Sequence, residues 1–157
     1  MCMVSCPFGA ISDKSQIFQL TRALQEEGSE IIAEIAPAFV GQFGENINPR
    51  NIKAALIELG FKGVHEVALG ADIGAVAEAH HYVEKVVTGE LPFLLTSCCP
   101  SWAMLAKKFF PDLIDQISQE LTPMVATARS IKKEHPNAKV VFIGPCAAKK
   151  LEASRRS

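Results

Sequence analysis

Residues 30–38 read EIIAEIAPA, in which a short, mainly apolar run over residues 30–35 is followed by Ala36 and Pro37. A run of this length, rich in isoleucine and followed by proline, is typical of a buried β-strand. Three more runs of the same kind occur later in the chain, at residues 63–69 (GVHEVAL), 92–96 (PFLLT) and 139–143 (KVVFI). Helical patterns separate these runs, so strand and helix alternate. This order predicts an α/β fold, a parallel sheet with flanking helices.

The predicted helices lie between these strands. Apolar residues at helical spacing predict a helix over residues 14–27, with Gly28 as its stop. Asn48 before Pro49 is typical of an N-cap followed by proline at the first helical position, which begins a helix that runs to residue 59. The remaining helices are expected at residues 72–87, 101–110, 112–120 and 123–133.

The composition is that of an ordinary globular chain of 157 residues, with 48% hydrophobic and 21% charged residues. The 16 Lys and Arg residues nearly balance the 17 Asp and Glu residues, so no excess of positive charge favours nucleic-acid binding. The uncharged stretch at residues 91–106 is too short for a membrane span and contains two prolines. Residues 1–14 carry no export signal, so we expect a reducing cytoplasm and free thiols.

Three of the five cysteines follow predicted strands. Cys98 and Cys99 come after the strand at residues 92–96, and Cys146 comes after the strand at residues 139–143. The carboxyl ends of parallel strands meet at one edge of a sheet, where ligands bind. A helix N-terminus after Cys99 would stabilise a thiolate, and thiolates bind soft metal centres. One cysteine alone would be read as a small buried apolar residue, but three at one edge favour chemistry.

A second cysteine pattern lies at the N-terminus. Cys2-x3-Cys6-Pro7 matches the end of the bacterial ferredoxin run C-x2-C-x2-C-x3-C-P, which binds 4Fe-4S clusters. We therefore predict that Cys2 and Cys6 are metal ligands. Residues 1–13 resemble the C-terminal remnant of a ferredoxin-like 4Fe-4S domain.

Two longer motifs carry a resemblance to a known family. Residues 96–102 (TSCCPSW) resemble the first signature of the FeFe-hydrogenases, T-S-C-C-P-x-W, and residues 144–152 (GPCAAKKLE) resemble the second, M-P-C-x-x-K-x-x-E. Residues 35–38 (IAPA) resemble the family's A-P segment near the cluster. The resemblance implies that residues 14–157 are the first part of the iron hydrogenase H-cluster domain.

The resemblance also implies a role for each matched side chain. Cys99 and Cys146 would be two of the four thiolates that hold the 4Fe-4S part of the H-cluster, and Cys98 would pass protons to its di-iron subcluster. Lys149 would hold a diatomic cyanide ligand by a charge-assisted hydrogen bond. The residues that would wall the same subcluster are Pro37, Ala38 and Ser97.

The family's proton route continues from the apical cysteine through a Glu, a Ser and a second Glu. Counting along the chain from the first signature places Glu78 at the first Glu position and Ser118 at the Ser position. His81 stands at the second Glu position, and histidine itself relays protons near neutral pH. Glu78 and Ser118 also have ordinary interpretations, as a solvated helix residue and a helix-end serine.

Besides His81 in place of the outer Glu, the chain departs from the usual family pattern at three places. Gly144 replaces a Met that usually touches the di-iron subcluster, and Met124 follows Pro123 where a polar residue is usual. The third signature, E-x-M-A-C-x-x-G-C, which supplies two further thiolates, does not occur in the sequence. We therefore expect an excised piece of a hydrogenase catalytic subunit, inactive alone and without a bound H-cluster.

The expected parent protein oxidises H2 reversibly to protons and electrons and exchanges electrons with ferredoxin or another redox partner. Its expected partners include the remainder of the catalytic subunit, and unpaired strand edges favour a homo-oligomer or a domain swap. One alternative is a non-catalytic hydrogenase-like sensor or iron–sulfur cluster carrier. Another is a thiol enzyme that uses Cys98 and Cys99, which would need a base beside the nucleophile.

Overall fold

A three-stranded parallel sheet lies at the centre of the computed structural model, which describes residues 2–11 and 15–154. The strands are β1 (Ile31–Ile35), β2 (Gly63–Glu66) and β3 (Lys139–Ile143), and their order is β2-β1-β3. The last residue of β1 pairs with the last residue of each neighbour, so all three strands end at the same edge. The predicted parallel α/β fold with flanking helices is confirmed.

Seven α-helices accompany this sheet in the described ranges. Their bounds are α1 Cys2–Ser5, α2 Ile17–Gln25, α3 Pro49–Glu58, α4 Val67–Tyr82, α5 Pro100–Phe109, α6 Pro123–Glu134 and α7 Ala147–Ala153. Short 3₁₀-helices span Pro37–Phe39 and Pro111–Gln116, and a π-helical turn, Val83–Val87, continues α4. Four of the predicted helices are confirmed to within three residues at each end as α2, α3, α5 and α6, whereas α7 was not expected.

The start of α3 shows how local sequence sets a helix boundary. The side-chain oxygen of Asn48 accepts hydrogen bonds from the backbone N–H groups of Arg50, at 2.9 Å, and Asn51, at 3.2 Å. The backbone N–H of Asn48 donates in turn to the Asn51 side chain at 3.0 Å. This reciprocal cap satisfies donors that have no partner inside the helix, and Pro49 needs none. The predicted cap at Asn48 is confirmed.

Two sequence expectations between β2 and α4 are wrong. The predicted strand over residues 63–69 ends at Glu66, because α4 begins at Val67 and not at Asp72. Val67, Ala68 and Leu69 are apolar residues that suit a strand and a buried helix equally, so their pattern did not distinguish the two.

The predicted strand over residues 92–96 is also wrong. Leu95 forms one isolated parallel bridge with Ile117 and does not join the sheet. Leu95 N–H donates to the carbonyl of Gln116, and Ser118 N–H donates to the carbonyl of Leu95, both at 2.8 Å. The same bridge extends the backbone after residue 116, so the helix predicted over residues 112–120 is a 3₁₀-helix that ends at Gln116.

The two faces of the sheet contact different helices. Ile31 and Ala33 face α2 and α3, whereas Ile32 packs against Ile131 of α6 on the opposite face. Side chains alternate between faces along a strand, so Glu34 also points to the α6 face. The sheet therefore carries one carboxyl group on its α6 side, near the edge where all three strands end.

The longest helix, α4, has 16 residues and packs closely on α6. Gly70 marks the point of closest approach, since a Cβ there would overlap Thr127 Oγ1 and lie 2.5 Å from the carbonyl oxygen of Pro123. Gly74, one turn later, has nothing within 4 Å of the same position. None of the helices in residues 2–11 and 15–154 has the length and apolar character needed to cross a membrane.

The close contact at Gly70 predicts that alanine substitutions at Gly70 and at Gly74 of α4 change the free energy of unfolding in opposite directions. Gly70→Ala should lower the free energy of unfolding by about 1–3 kcal/mol, because the added methyl group overlaps α6. Gly74→Ala, the matched control, should raise it by up to about 1 kcal/mol, since alanine favours the helix and meets open space. Urea unfolding of both variants measures the difference, and equal effects would contradict the close packing of α4 on α6.

Candidate functional site

Cys99 and Cys146 occupy the same local position, each directly before a helix. Cys99 is the N-cap of α5, with φ −102° and ψ 111°, and Cys146 is the N-cap of α7, with φ −92° and ψ 111°. Neither side chain accepts a capping hydrogen bond, and both residues are exposed free thiols. Both sulfur atoms are therefore accessible at the N-terminus of a helix.

The two cysteine loops meet at the edge where the strands end. The Lys149 ammonium of α7 donates a hydrogen bond to the backbone carbonyl of Cys98 at 3.1 Å, which joins the two loops directly. A cleft of about 390 Å³ lies between α5 and α7. Residues on both sides line it, namely Pro100, Ser101 and Met104 of α5 and Ala147, Ala148, Leu151 and Glu152 of α7. The structure therefore brings together the two segments in which the sequence predicts cluster ligands.

The loop over residues 96–102 is fixed at both ends. The Leu95 bridge holds its start, and the indole N–H of Trp102 donates to the carbonyl of Thr96 at 3.0 Å. The indole thus closes the loop on itself and does not reach towards a reacting group. This contact makes Trp102 an anchor of the loop, since an indole N–H commonly finds a hydrogen-bond partner where its ring packs.

A half-buried charged network stands behind the two loops. Lys149 forms an ion pair with Glu152 at 2.7 Å, and their side chains are only 13% and 15% exposed. The Thr122 hydroxyl, which caps α6, donates to the same Glu152 carboxylate at 3.1 Å. Cys98, Lys149, Glu152 and Thr122 therefore connect the first loop, α7 and α6. The sequence analysis assigned no role to Glu152 or Thr122, although Lys and Glu three residues apart on a helix favour an ion pair.

The predicted wall residues lie at the same sheet edge. Pro37 and Ala38 form the 3₁₀-helix directly after β1, and the N–H of Ala36 donates to the carbonyl of Ile143 at 2.9 Å, at the end of β3. Ser97 lines a second cleft, of about 260 Å³, together with Ser118, Thr122 and Glu152. All three predicted wall residues are therefore near one of the two cysteine loops, and their contact with a cluster stays a prediction.

The predicted proton-route residues are not joined by hydrogen bonds. Glu78 and His81 lie on α4, whereas Ser118 lies after the Ile117 bridge and is 2% exposed. The Ser118 hydroxyl accepts a hydrogen bond from the backbone N–H of Glu120 at 3.2 Å. Within the described residues, no side-chain hydrogen bond links these three residues to each other or to Cys98. Their roles stay predictions.

Cys6 has a local environment suited to a thiolate. Backbone N–H groups, chiefly those of Phe8 and then Ala10, hydrogen-bond to its sulfur and lower the pKa of the Cys6 thiol from its usual value. Gly9 adopts φ +58°, the left-handed conformation that this tight turn requires. The side chain of Cys2 and the predicted domain boundary between residues 13 and 14 lie outside the described residues.

Glu34 is a buried acid that the sequence analysis missed. It is 2% exposed, and its Oε2 atom has no hydrogen-bond partner in the described structure. Burial raises the pKa of its carboxyl to about 8, and the nearby positive charge of Lys149 opposes this shift. Glu34 lines a third cleft, of about 500 Å³, with Met124, Phe142 and Glu152 among the other lining residues. The only indication of this buried acid in the sequence is a single glutamate inside an isoleucine-rich strand.

The structure explains why residue 144 is glycine. A Cβ at Gly144 would lie 2.6 Å from the Phe142 ring and 2.9 Å from the Cβ of Ala36. Phe142 therefore occupies the volume that a side chain at position 144 would need. Met124, 3% exposed at the start of α6, lines the same cleft as Phe142. Gly144 and Met124, two of the positions at which this chain departs from the hydrogenase pattern, thus border Phe142 or share its cleft.

The donor set fits part of an iron–sulfur cluster. Cys99 and Cys146 offer two exposed sulfur ligands at helix N-termini. A 4Fe-4S cluster in a protein is commonly held by about four cysteine thiolates. In residues 2–11 and 15–154, no three His, Cys, Asp or Glu side chains are grouped so that they would hold a metal ion. The chemistry of the two thiols suits such a cluster, and their number supplies half of its ligands.

Comparison with known proteins identifies similar chains. The family described as "Iron only hydrogenase large subunit, C-terminal domain" matches residues 29–157. Iron hydrogenase 1 of Clostridium pasteurianum is 30% identical over 165 residues, which cover 95% of this chain and 29% of that protein. The cytosolic Fe-S cluster assembly factor NAR1 of Meyerozyma guilliermondii is 28% identical over 106 residues, 62% of this chain and 20% of that protein.

The fold comparison gives the same family. A solved [FeFe]-hydrogenase, studied for oxygen inactivation of its H cluster, superposes with a TM-score of 0.74 at 25% identity, covering 90% of this chain and 42% of that one. The resemblance that residues 96–102 and 144–152 carry is confirmed. The chain spans less than a third of the length of Iron hydrogenase 1.

The packing around Gly144 predicts a coupled pair of substitutions. Gly144→Met should lower the free energy of unfolding by about 1–3 kcal/mol, because the new side chain overlaps Phe142. Combining it with Phe142→Ala should cost less than the sum of the two single changes, since the smaller residue frees the same volume. Gly74→Met on α4 is the control. Additive urea-unfolding effects would contradict the assignment of Phe142 to this volume.

The buried acid predicts a pH dependence of stability. Folded Glu34 keeps its proton up to about pH 8, whereas the unfolded chain releases it near the usual pKa of 4.5. The folded state therefore binds more protons between these values, and this group makes the free energy of unfolding fall as pH rises through that range. Glu34→Gln should remove that part of the slope, and Glu58→Gln, an exposed control on α3, should keep it. Urea midpoints at about pH 5 and about pH 9 measure the change.

Proposed function

Because the chain belongs to the iron-only hydrogenase family, through the C-terminal domain of the large subunit, we propose that it forms part of the H-cluster site of an oxidoreductase. The proposed reaction is the reversible oxidation of H2 to protons and electrons. The observation that carries the proposal is the 3.1 Å bond from Lys149 to the carbonyl of Cys98, which joins the two family signatures at one sheet edge.

In this proposal, Cys99 and Cys146 hold the 4Fe-4S part of the H-cluster. Their exposed sulfur atoms, each directly before a helix, support this role, because sulfur ligands suit a soft metal centre. Two further thiolates come from polypeptide outside this chain, so the chain alone is inactive. When bound, the cluster supplies the electron transfer and the reaction with H2.

The proposed protein contribution is placement of charge and protons. Cys98 is an exposed thiol beside the ligand Cys99, and it holds the proton that is exchanged with the di-iron subcluster. The Lys149 ammonium, fixed by Glu152, provides a positive donor for an anionic diatomic ligand. Ser97, Pro37 and Ala38 wall that subcluster, and Ser118, Glu78 and His81 lead protons towards solvent.

We also propose a path for electrons at the N-terminus. Residues 1–13 belong to a ferredoxin-like domain in which Cys2 and Cys6 bind a second 4Fe-4S cluster, separate from the domain at residues 14–157. Support comes from the backbone N–H groups around the Cys6 sulfur, because such bonds stabilise a cluster thiolate. Ferredoxin or another redox protein is the proposed partner. The four described free thiols suit a reducing cytoplasm.

A second candidate function is that of a non-catalytic sensor or iron–sulfur cluster carrier. The observation that favours it is the Phe142 ring beside Gly144, in the place where the hydrogenase signature has a Met side chain. The similarity to a cytosolic Fe-S cluster assembly factor also supports it. This function would need the ligands Cys99 and Cys146 but not the thiol of Cys98.

Substitution of the three site cysteines in the complete, matured protein distinguishes these functions. For a hydrogenase, Cys98→Ser should lower H2 turnover by about 100-fold or more while iron and sulfide content stay unchanged, because a proton-transfer group is lost. Cys99→Ser and Cys146→Ser should instead lower the iron content. Unchanged H2 turnover in Cys98→Ser would contradict catalysis through this thiol, and no H2 turnover in the unaltered protein would favour the carrier.

A further inference from the structure

Glu34 is an ionisable residue at the centre of the sheet. The proposed reaction gives it no role. It lies on β1, the middle strand, three residues before Pro37, and is 2% exposed. Its Oε2 atom has no hydrogen-bond partner among the described residues although it lines the 500 Å³ cleft. A buried carboxylate without a partner is costly, so this position favours the neutral acid.

Ionisable side chains face Glu34 from β2, α6 and α7. His65 on β2 is its cross-strand neighbour on one side, and on the other side its neighbour is Phe142 on β3, which is not ionisable. The charged residues that share its cleft are Arg129 and Lys132 of α6 and Glu152 of α7. Lys149 of α7 is the residue whose charge acts on the Glu34 carboxyl. The Lys132 ammonium already donates to the carbonyl of Pro136 at 3.2 Å.

Lys149 is paired with Glu152, and Glu152 lines the same cleft as Glu34, so two acids lie in the surroundings of this ammonium. With Glu34 neutral, the ammonium bonds to the Glu152 carboxylate at 2.7 Å and to the Cys98 carbonyl at 3.1 Å. The ammonium gains a second anionic partner when Glu34 loses its proton. A charged acceptor attracts an ammonium more strongly than a neutral carbonyl does, so the bond to Cys98 is the weaker of its existing contacts.

We propose that Glu34 is a positioning residue for Lys149: the protonated acid leaves the ammonium on the Cys98 carbonyl, and the ionised acid draws it towards the sheet. The step is a simple acid dissociation, in which the carboxyl proton goes to solvent through the cleft. Its meaning for catalysis rests on the proposed function, since only then does Lys149 hold a cluster ligand. The movement of Lys149 itself does not depend on a cluster.

NMR of the full chain with labelled lysine side chains tests this inference. The Lys149 side-chain signal should shift with a midpoint near pH 8, the pKa expected for Glu34. Glu34→Gln, which keeps the shape and removes the ionisation, should abolish that step. Glu58→Gln, an exposed glutamate on α3, should leave the step as in the unaltered chain. Glu34→Asp, which keeps the ionisable group, should retain a step with a changed midpoint.

Three results would overturn the inference. The first is a Lys149 signal that does not shift between about pH 6 and pH 10, the range around the raised pKa. The second is a step that survives Glu34→Gln, or one that disappears instead in His65→Gln. The third, which needs no variant to fold, is a carboxyl ¹³C titration in which Glu34 ionises near the usual glutamate value. Failure to bind a cluster would count against the proposed function and leave these outcomes unchanged.

Discussion

The arrangement of the site depends on the interactions of the Lys149 ammonium. It bonds to the Cys98 carbonyl and the Glu152 carboxylate, and Glu152 also accepts from Thr122 at the start of α6. Both ionic side chains are largely withdrawn from solvent, so their attraction is screened less than that of a surface pair. One positive charge therefore holds two loops and two helices at the end of the sheet.

The parallel register of the strands provides the frame for this charge. Ile35 pairs with Glu66 on one side and with Ile143 on the other, so the segments that follow β1 and β3 leave the sheet at the same level. Shortly after these ends, Pro37 begins a 3₁₀-helix and Cys146 caps α7. The sheet thus positions the segments of the site, and the loops that follow the strands carry its reactive side chains.

The sequence predicted the elements whose determinants are local and failed where distant partners decide. Asn48 before Pro49 caps α3 as expected, because all of its acceptors and donors lie within three residues. The strand at residues 92–96 failed because Leu95 pairs with Ile117 and not with the sheet. The role of Glu34 could not be predicted, because the burial of its side chain depends on α6, which is remote in sequence. Cys146 follows β3 as the sequence predicts, whereas Cys98 and Cys99 follow a segment that does not join the sheet.

The pairing of β1 with β3 also determines when the site can form. Residues 35 and 143 are separated by most of the chain, and closing such a long loop costs entropy before any contact compensates for it. Contacts of this kind slow folding and form late. The two cysteine loops therefore reach their final separation only after the sheet has closed. A metal cluster held by Cys146 would therefore depend on a strand pairing that joins distant parts of the chain.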